Sequence, residues 1–520
     1  MAQTTRSTAL APGRAVLRGK LSRTRTRIRI DLRSAHLRLP VLQGIWPALA
    51  AISIGISLGA LILVTTGVSS KWTLVLLMGV AALPVALLVK DVRKLLLVAC
   101  VVDIPLGLDV ALRDQEWHQG GPTGFLVSLM TAVIVVGYAL WILERKPRPR
   151  FFPTITVPAL LYLSMVVVSL FQASNLQLGL FGLFLQVQFF LIFFYLANHV
   201  RTWQDVRLIM RTAVLCLLVE AALMVVQYLT GTTVTIGPIA SYAYDGTASA
   251  GVTGLRVGGT IGGANSAAAF LAPMLLLALV AYLSGGLANT GVILAAGSLG
   301  IVALIATASR TAWGSLALST SLLMTQIVRT PTWKRAMAIV LIGGSVVGFL
   351  FGAQIAERMA AIATDTTRPE LAYMARNIIQ DYPLGVGENN YDQVMSDKYA
   401  HPNWIGHNLL PAHNKYLMVW AETGLQGLFA FVLMVLSAVW LAVRPLFKKD
   451  LPAPMRILLA GFLCALCGYA FHMITESFSS RANVQILWFL MAMIAALSRL
   501  ALEPPSVEGR GALGGGHPEA

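Results

Sequence analysis

The polar segment from Arg368 to Gly427 holds most of the side chains that could do chemistry in an otherwise apolar chain. It contains arginine, several histidines and asparagines, and a Gly-Val-Gly turn at Gly385 to Gly387. Membrane-embedded chains keep their connections short, so a loop of about sixty residues with these residue types is the first candidate for a reactive site. We therefore place the active site in this segment.

Arg368 lies where a helix is predicted to begin. Pro369 and Glu370 follow it, and both residue types favour a first helical turn. Apolar residues then recur at helical spacing, at Leu371, Met374, Ala375, Ile378 and Ile379. Free N–H groups and the helix dipole favour an anion at such an N-terminus, and phosphate is the natural guest of Arg368. The alternative is that Arg368 pairs with a loop carboxylate such as Asp365.

His413 stands at the predicted start of a membrane-spanning helix. A helix from this point would carry one shared face, formed by Tyr416, Leu417, Trp420, Gly424 and Gly427. Glu422 lies half a turn away and roughly 13 Å along the axis, so we expect it to pair with another helix rather than with His413. The alternative for His413 is an interfacial side chain, and His401 and His407 compete with it for any chemical role.

Two shorter polar segments precede this loop. The segment from Arg256 to Asn265 is rich in glycine, which could bring backbone close to a ligand. It is not a P-loop, because it lacks the Gly-Lys-Ser/Thr ending and no strand is predicted before it. The segment Ser309 to Trp313 places Arg310 at a helix start, where the alternative is a side chain that reaches lipid headgroups.

Membrane-spanning helices must position these residues. The chain has 57% hydrophobic and 12% charged residues and a mean hydropathy of +0.72, which predicts an all-α, polytopic membrane protein. A span takes about twenty residues. The candidates are 42–67, 73–89, 95–112, 122–143, 154–172, 177–197, 208–229, 264–284, 290–308, 312–327, 336–353, 414–443, 455–475 and 483–498. The third contains Asp103 and Asp109 and the tenth is short, so we expect twelve to fourteen spans.

The distribution of basic residues predicts the topology. The isoelectric point near 10.0 would suit a nucleic-acid-binding protein, but most of the 39 Lys and Arg residues fall on alternate connections. The positive-inside rule then places both termini in the cytoplasm. In this topology Arg256, Arg310, Arg368 and His413 all fall on the outer side, where they could converge. An odd error in the span count between two of them would destroy that convergence.

The same pattern divides the chain into five parts. We predict a basic cytoplasmic tail over 1–40, a transmembrane bundle over 41–353 and a large periplasmic loop over 354–412 that carries active-site residues. Further transmembrane helices follow over 413–500, and a disordered cytoplasmic tail over 501–520.

Four cysteines add little chemistry. Cys464 and Cys467 form a CxxC pair inside an apolar span, where packing is the expected role rather than a metal site. Cys100 and Cys216 also lie in predicted spans. No disulfide, metal site or cofactor is predicted.

Four motifs in order resemble one family. They are RxxGTxxxxN (Arg256 to Asn265), SRxxW (Ser309 to Trp313), an arginine before PLGVGxxNY (Arg368; Pro383 to Tyr391) and AHNxYLxxxxExGxxG (Ala412 to Gly427). Together they look like the O-antigen ligase and O-antigen polymerase superfamily over roughly 160–495. Departures are Glu388 and Asn389, where glycine is common, and a second His-Asn pair at His407 and Asn408.

The resemblance implies transfer of a glycan from undecaprenyl diphosphate to an acceptor hydroxyl at the outer face of the bacterial cytoplasmic (inner) membrane, with inversion and without a metal. It assigns proton acceptance to His413 and diphosphate binding to Arg310, Arg368 and, more weakly, Arg256. Supporting roles fall to Asn414, Tyr416, Glu422, Gly385, Gly387 and Asn265. The expected partners are the lipid-linked oligosaccharide donor, a glycan, lipid A core or protein acceptor, and the membrane, with no nucleic acid.

Three acceptors remain open at this point: a growing polysaccharide, lipid A core, or protein Ser/Thr. We favour the polymerase of O-antigen or exopolysaccharide over the ligase. The competitor from another class is a flippase of lipid-linked glycans, but transporters place polar residues near the membrane midplane. The distinctive charges of this chain lie at the predicted outer ends of the spans, which favours an enzyme.

Overall fold

The computed structural model describes residues 91–107, 109–115, 118, 120–144, 150–233, 235–236, 239–240, 242–245, 255–328, 330–360, 367–399 and 411–502. The predicted basic tail, the candidate spans 42–67 and 73–89, and most of the predicted C-terminal tail lie outside these residues. So do Asp365, His401 and His407. The predicted division into five parts stays a prediction.

Helices dominate the described residues. They are α1 (Val92–Val102), α2 (Leu129–Leu143), α3 (Thr156–Ser169, continued by the 3₁₀ turn Leu170–Gln172), α4 (Leu176–His199), α5 (Trp203–Thr230), α6 (Ala264–Ser284), α7 (Thr290–Ala306), α8 (Arg310–Ile327), α9 (Trp333–Ala360), α10 (Thr367–Asp381), α11 (Tyr391–Val394), α12 (Lys415–Leu446), α13 (Ala453–His472) and α14 (Arg481–Leu502). A π-helical turn, Met395–Tyr399, follows α11.

Seven of these helices are long and apolar enough to cross a membrane: α4, α5, α6, α9, α12, α13 and α14. Three shorter apolar helices, α2, α3 and α7, accompany them. The predicted class, an all-α polytopic membrane protein, is confirmed. The third candidate span is only the short helix α1, followed by a turn at Asp103 and a strand. The total number of spans stays a prediction, because two candidates lie outside the described residues.

The core lies around α6 and α14. Both are buried over most of their length, and α6 is apolar on every side, as expected for helices at the centre of a bundle. α14 packs against α4, α12 and α13, while α5 and α7 form a second packed pair. At the first residue of α14, the buried Arg481 donates to Asp103 (2.6 Å) and Asp109 (2.7 Å). This ion-paired group ties the turn after α1 to the centre of the bundle.

Three antiparallel hairpins interrupt the helices in the described residues. They pair β1 (Val110–Leu112) with β2 (Phe125–Val127), β3 (Thr235–Ile236) with β4 (Ile239–Ala240), and β5 (Tyr242–Asp245) with β6 (Leu255–Gly259). Arg256 lies within β6, opposite Tyr244. The expectation that no strand precedes the glycine-rich turn is therefore wrong. Five residues were too few, and too rich in glycine, to give a strand pattern in the sequence.

The helix predicted to begin at Arg368 agrees with the structure, whereas the helix predicted to begin at His413 does not. α10 begins at Thr367 and ends at Asp381, as its capping and apolar spacing predict, and Leu371, Ala375 and Ile378 are fully buried. α12, however, begins at Lys415 rather than at His413, and it breaks at Gly424 (φ 72°, ψ 177°). The predicted continuous helical face from His413 to Gly427 is therefore wrong.

Candidate active site

One buried carboxylate, that of Glu476, joins three of the helix connections. Glu476 follows α13 and precedes α14. Its Oε1 accepts hydrogen bonds from Asn265 Nδ2 (2.9 Å) and Arg368 Nη2 (3.1 Å). Its Oε2 lies 3.2 Å from His413 Nδ1. The carboxylate therefore brings the start of α6, the start of α10 and the residue before the cap of α12 to one point.

Glu476 is ionised in this environment. Burial on its own raises the pKa of a carboxyl group, but the hydrogen bond and charge of His413 and the charge of Arg368 act in the opposite direction. The charge of His472 adds to them, and the pKa of Glu476 falls below its usual value. An ionised carboxylate only accepts hydrogen bonds, so it fixes the direction of all three contacts.

This direction sets the tautomer of His413. Because Glu476 can only accept, Nδ1 of the imidazole carries a hydrogen and donates it. Nε2 is then the basic nitrogen of the neutral ring. The side chain is about one-fifth exposed, so a substrate hydroxyl can approach it. The ring is thus held as a general base by a carboxylate, an arrangement that recurs in hydrolases and transferases.

Arg256 is fixed by two acceptors of the same site. Its Nε donates to the Thr307 carbonyl oxygen (2.9 Å) at the end of α7, and its Nη2 donates to Asn265 Oδ1 (2.6 Å). Asn265 therefore bridges Arg256 and Glu476 with its two amide atoms. The structure thus brings Arg256 and Asn265 together with His413 and Arg368.

Several arginine side chains lie near Arg256 and repel it electrostatically. Burial is the main reason that the pKa of Arg256 falls to about 10, and Arg358 is the next cause. Arg368 and Arg310 lower it further, whereas the charge of Glu476 raises it. Four guanidinium groups thus lie close enough for their charges to affect one another. Such a cluster of fixed positive charge is suited to a polyanion such as a diphosphate.

Arg310 and Arg358 stand on neighbouring helix ends. Arg310 is the first residue of α8, and its Nη1 lies 3.4 Å from the carbonyl oxygen of Arg358 near the end of α9. Arg358 Nη2 donates to the Ala308 carbonyl oxygen (2.9 Å). Arg310 and Arg358 therefore belong to the arginine cluster around Arg256.

The glycine-rich segment is fastened to the bundle. The backbone N–H and the hydroxyl of Thr260 donate to the two carboxylate oxygens of Glu220 on α5 (2.7 and 2.8 Å). Gly259 has φ +61°, and a Cβ added at Gly258 would collide with the carbonyl oxygen of Gly262. The glycines serve this tight local packing and set Arg256 in place. The expectation that their backbone approaches a ligand has no support in this geometry.

Gly385 and Gly387 hold the broken helix. The break at Gly424 leaves carbonyl groups of α12 without their helical partners, and Val386 N–H and Gly387 N–H donate to those of Ala421 (2.9 Å) and Glu422 (3.0 Å). Both glycines have positive φ, and a Cβ at Gly385 would meet the backbone of Glu422. The Gly-Val-Gly turn and the Glu-x-Gly segment therefore form one structural unit.

The other supporting residues stabilise the base of the site. Asn414 caps α12 by accepting the N–H of Leu417 (3.0 Å), and the Tyr416 hydroxyl donates to the Ala470 carbonyl oxygen of α13 (3.0 Å). Glu422 is buried, accepts a backbone hydrogen bond from Tyr391, and has Lys415 of its own helix as its cationic neighbour. Glu422 is thus a buried acid that contacts another helix through the backbone of Tyr391 in α11, as expected, and the acid that orients His413 is Glu476.

Two residues of the site, Glu476 and Arg358, were not singled out in the sequence. Glu476 belongs to a short polar run, Thr475 to Ser477, between two predicted spans. Its signal was a lone acid in a connection predicted to lie on the same side as the arginines. Arg358 was visible only as a cation near the end of an apolar helix, where a lipid-facing role is the ordinary assignment.

A metal or disulfide site does not emerge from the described parts of the chain. They contain no group of three or more His, Cys, Asp or Glu residues that could hold a metal ion. The four cysteines are free, and Cys464 is buried in α13. The packing role predicted for the CxxC pair agrees with this burial.

Comparison with known proteins finds a family model that matches part of the chain. No curated protein matches the chain significantly. Residues 295–432 match the family model described as O-antigen ligase. The matched segment contains Arg310, Arg368 and His413, whereas Arg256, Asn265 and Glu476 lie outside it. The resemblance to the O-antigen ligase and polymerase superfamily is thus confirmed through the segment 295–432.

Proposed function

We propose that the protein is a membrane glycosyltransferase that moves a glycan from undecaprenyl diphosphate to an acceptor hydroxyl at the outer face of the bacterial cytoplasmic membrane. The observation that carries the proposal is the shared carboxylate of Glu476, which holds Arg368 and His413 at one site. A cation for the leaving group and a base for the nucleophile are then fixed on the same buried group. The family match supports the same class of reaction.

The reaction follows from these positions. His413 Nε2 accepts the proton of the acceptor hydroxyl as its oxygen attacks the anomeric carbon of the donor sugar. The bond between that carbon and the diphosphate oxygen breaks, and the electron pair leaves with the diphosphate. Arg368 and Arg310, with Arg256 behind them, stabilise the negative charge that collects on the leaving group. Attack opposite the diphosphate inverts the anomeric centre.

The energy of the transfer comes from the donor. No ATP is present on the outer side of the membrane, so the anomeric diphosphate bond itself must drive the step. Permanent guanidinium charges are suited to stabilising this leaving group in the way that a divalent cation does in other transferases. Independence of metals is therefore part of the proposal.

Two acceptors come first among the three. A polymerase of O-antigen or exopolysaccharide is the activity that we favour, although no motif of the sequence separates it from a ligase. The description of the matched family, O-antigen ligase, favours transfer to lipid A core. Both activities use the same donor and the same site. Analysis of the reaction products therefore has to show which acceptor carries the glycan.

A deletion in the native host, complemented with wild type or with His413→Ala, tests the proposal. A ligase deletion accumulates long chains on the lipid carrier, and a polymerase deletion leaves single repeat units. His413→Ala should abolish transfer and remain in the membrane, because it removes the base. His407→Ala is the matched variant and should retain activity. Wild-type turnover of His413→Ala would remove this residue from the mechanism.

A flippase would behave differently in liposomes. If the purified protein translocates labelled lipid-linked glycan, and His413→Ala does so equally well, then a transport function replaces the enzymatic one. Glycan transfer to an added acceptor, lost in His413→Ala, supports the enzyme.

A further inference from the structure

Lys415, the first residue of α12, is bound to the end of α13 beside the site. Its backbone N–H donates to the Met473 carbonyl oxygen (2.8 Å). Lys415 is two residues after His413, and Met473 is three residues before Glu476. This backbone hydrogen bond therefore joins the same two segments that the pair of His413 and Glu476 joins (3.2 Å). A shift of Lys415 would consequently move His413 relative to the carboxylate that orients it.

The side chain of Lys415 lies inside the bundle. Only 9% of the residue is exposed, and it borders a small cavity together with Gln186 of α4 and Asn483 of α14. Lysine is rarely buried to this extent unless an opposite charge compensates it, because an ammonium group loses its hydration in the interior. The mechanism proposed above gives this buried cation no role.

Glu388 is the fixed carboxylate whose charge interacts with that of Lys415. It lies in the segment before α11 and is 6% exposed. Its backbone N–H donates to Ser169 Oγ (3.0 Å), and its Oε1 accepts from Gln186 Nε2 (3.1 Å). The carboxylate is thus held by α3 and α4, whereas the ammonium belongs to α12. An attraction between the two charges therefore pulls the start of α12 towards the centre of the bundle.

The surroundings of Glu388 contain a second carboxylate. Glu388 and Glu422 of α12 affect each other electrostatically, and Tyr162 of α3 lies near both. Asp392 of α11 also acts on Glu422. Burial raises the pKa of Glu388, whereas the charge of Lys415 and the hydrogen bond from Gln186 act against this rise. Loss of the ammonium would leave Glu388 among acids, where its ionised form is poorly compensated.

We propose that Lys415 is a positioning residue of the site, in which its ammonium is the counter-ion of Glu388 and thereby holds the first turn of α12 so that His413 stays aligned with Glu476. This inference rests on the proposed function, because it concerns the base of that reaction. The alternative is that the side chain of Lys415 only fills space beside the cavity.

Substitution of Lys415 tests the role of its charge. Lys415→Met removes the charge and keeps a long side chain, whereas Lys415→Arg keeps the charge. In proteoliposomes, Lys415→Met should lower the kcat of glycan transfer about 10²-fold, as expected when a catalytic group is misplaced by about 1 Å. The KM for the donor should change little, because the arginines remain. Lys415→Arg should retain most of the activity. A wild-type kcat in Lys415→Met would overturn the proposal.

A second substitution tests whether Glu388 is the partner. In Lys415→Met/Glu388→Gln the carboxylate is removed with its cation, and the amide oxygen can still accept from Gln186. This double variant should recover kcat about tenfold relative to Lys415→Met. Lys415→Met/Glu370→Gln is the matched control, because Glu370 is an exposed acid of α10, and it should recover nothing. Equal activity of the two double variants would overturn the assignment of Glu388.

The pH profile distinguishes a charge from a space-filling side chain. In Lys415→Met, ionisation of Glu388 as the pH rises through its pKa places an uncompensated charge in the bundle. The kcat of Lys415→Met should therefore decline with rising pH where wild type stays level, and Glu388→Gln should remove this decline. A loss of the same size at every pH, unchanged by Glu388→Gln, would mean that Lys415 only fills space.

The outcomes separate this proposal from the proposed function. If wild-type protein transfers glycan but Glu388→Gln does not rescue Lys415→Met, only the role of Lys415 fails. If wild-type protein transfers no glycan, the proposed function fails and the positioning role fails with it, even where Glu388→Gln restores the thermal stability of Lys415→Met. If Lys415→Met does not reach the membrane, the double variants decide: recovery of membrane protein and transfer by Glu388→Gln but not by Glu370→Gln supports the proposal, and recovery by neither overturns it.

Discussion

Replacing Glu476 by glutamine should disable the base without disturbing the shape of the site. Both Arg368 and Asn265 donate to Oε1, so the amide oxygen of glutamine must take this position to accept from them. The amide nitrogen then faces His413 Nδ1, which has to accept a hydrogen bond and gives up its hydrogen. The imidazole is forced into the other tautomer, with the hydrogen on Nε2, where the base is needed.

The size of the effect follows from this change of tautomer. A carboxylate-to-amide change behind a catalytic histidine costs up to about 10⁴ in kcat. Flipping of the amide would restore the tautomer only by facing its NH₂ group against two donors, and such a buried mismatch costs about 1–3 kcal/mol. Because the flipped amide limits the loss, we expect kcat to fall about 10²-fold in Glu476→Gln, equal to about 2.7 kcal/mol of the activation barrier. The KM for the donor should change little, because the arginines remain.

The assay is transfer of labelled glycan from undecaprenyl diphosphate in proteoliposomes, with equal amounts of each protein. Glu422→Gln is the matched control, since Glu422 is also a buried carboxylate at this end of α12 but is not bonded to His413. It should lose far less activity than Glu476→Gln. If Glu476→Gln kept more than about a tenth of the wild-type kcat, the orientation of His413 by Glu476 would be refuted.

Three further predictions concern charge and backbone. The folded-state pKa of Glu476 is lower than its ordinary value of 4.5, so its contribution to stability is complete above about pH 4.5 and is lost as the pH falls through the lowered pKa. Acid unfolding in detergent should therefore be steeper for wild type than for Glu476→Gln; equal slopes would contradict the ionised carboxylate. In Arg256→Lys, the burial and neighbouring cations that lower the arginine pKa to about 10 should also lower the pKa of a lysine below its ordinary value near 10.4. Its kcat/KM should decline at alkaline pH where wild type stays level, and a level profile in both would count against the buried cationic environment. Gly424→Ala places a side chain at φ 72°, ψ 177° and against the backbone of Leu384, so thermal unfolding should show a loss of about 1–3 kcal/mol, whereas Gly343→Ala in open space should show none.

The part of the site that could be predicted from the sequence consists of individual charged or basic side chains. Arg256, Arg368 and His413 were placed on one side of the membrane from charge alternation, and the structure brings them together around Glu476. The helix over 367–381 followed from its cap and apolar spacing. These signals depend only on residues that are close together in the sequence, so they can be detected from hydrophobic periodicity alone.

The glycines were harder to interpret, because their role depends on segments distant in sequence. Gly385 and Gly387 serve the helix break at Gly424, about forty residues later, and Gly259 belongs to a turn fixed by Glu220, about forty residues earlier. A glycine-rich run gives the same pattern whether its backbone approaches a ligand or another backbone. The helix break itself could not be found from periodicity, since apolar spacing continues on both sides of it.

Glu476 explains why the arginines can gather before any substrate arrives. A buried carboxylate that accepts from Arg368 and, through Asn265, is coupled to Arg256 offsets part of the repulsion among the four cations. It offsets only part, because the pKa of Arg256 still falls to about 10 under burial and the charges of its neighbours. In the proposed reaction, a bound diphosphate offsets the remaining repulsion, and because its charge grows as its bond to the sugar breaks, it offsets more in the transition state than in the ground state. The arginine cluster would then favour the transition state over the bound donor, which is the condition for faster chemistry and not merely for tighter binding.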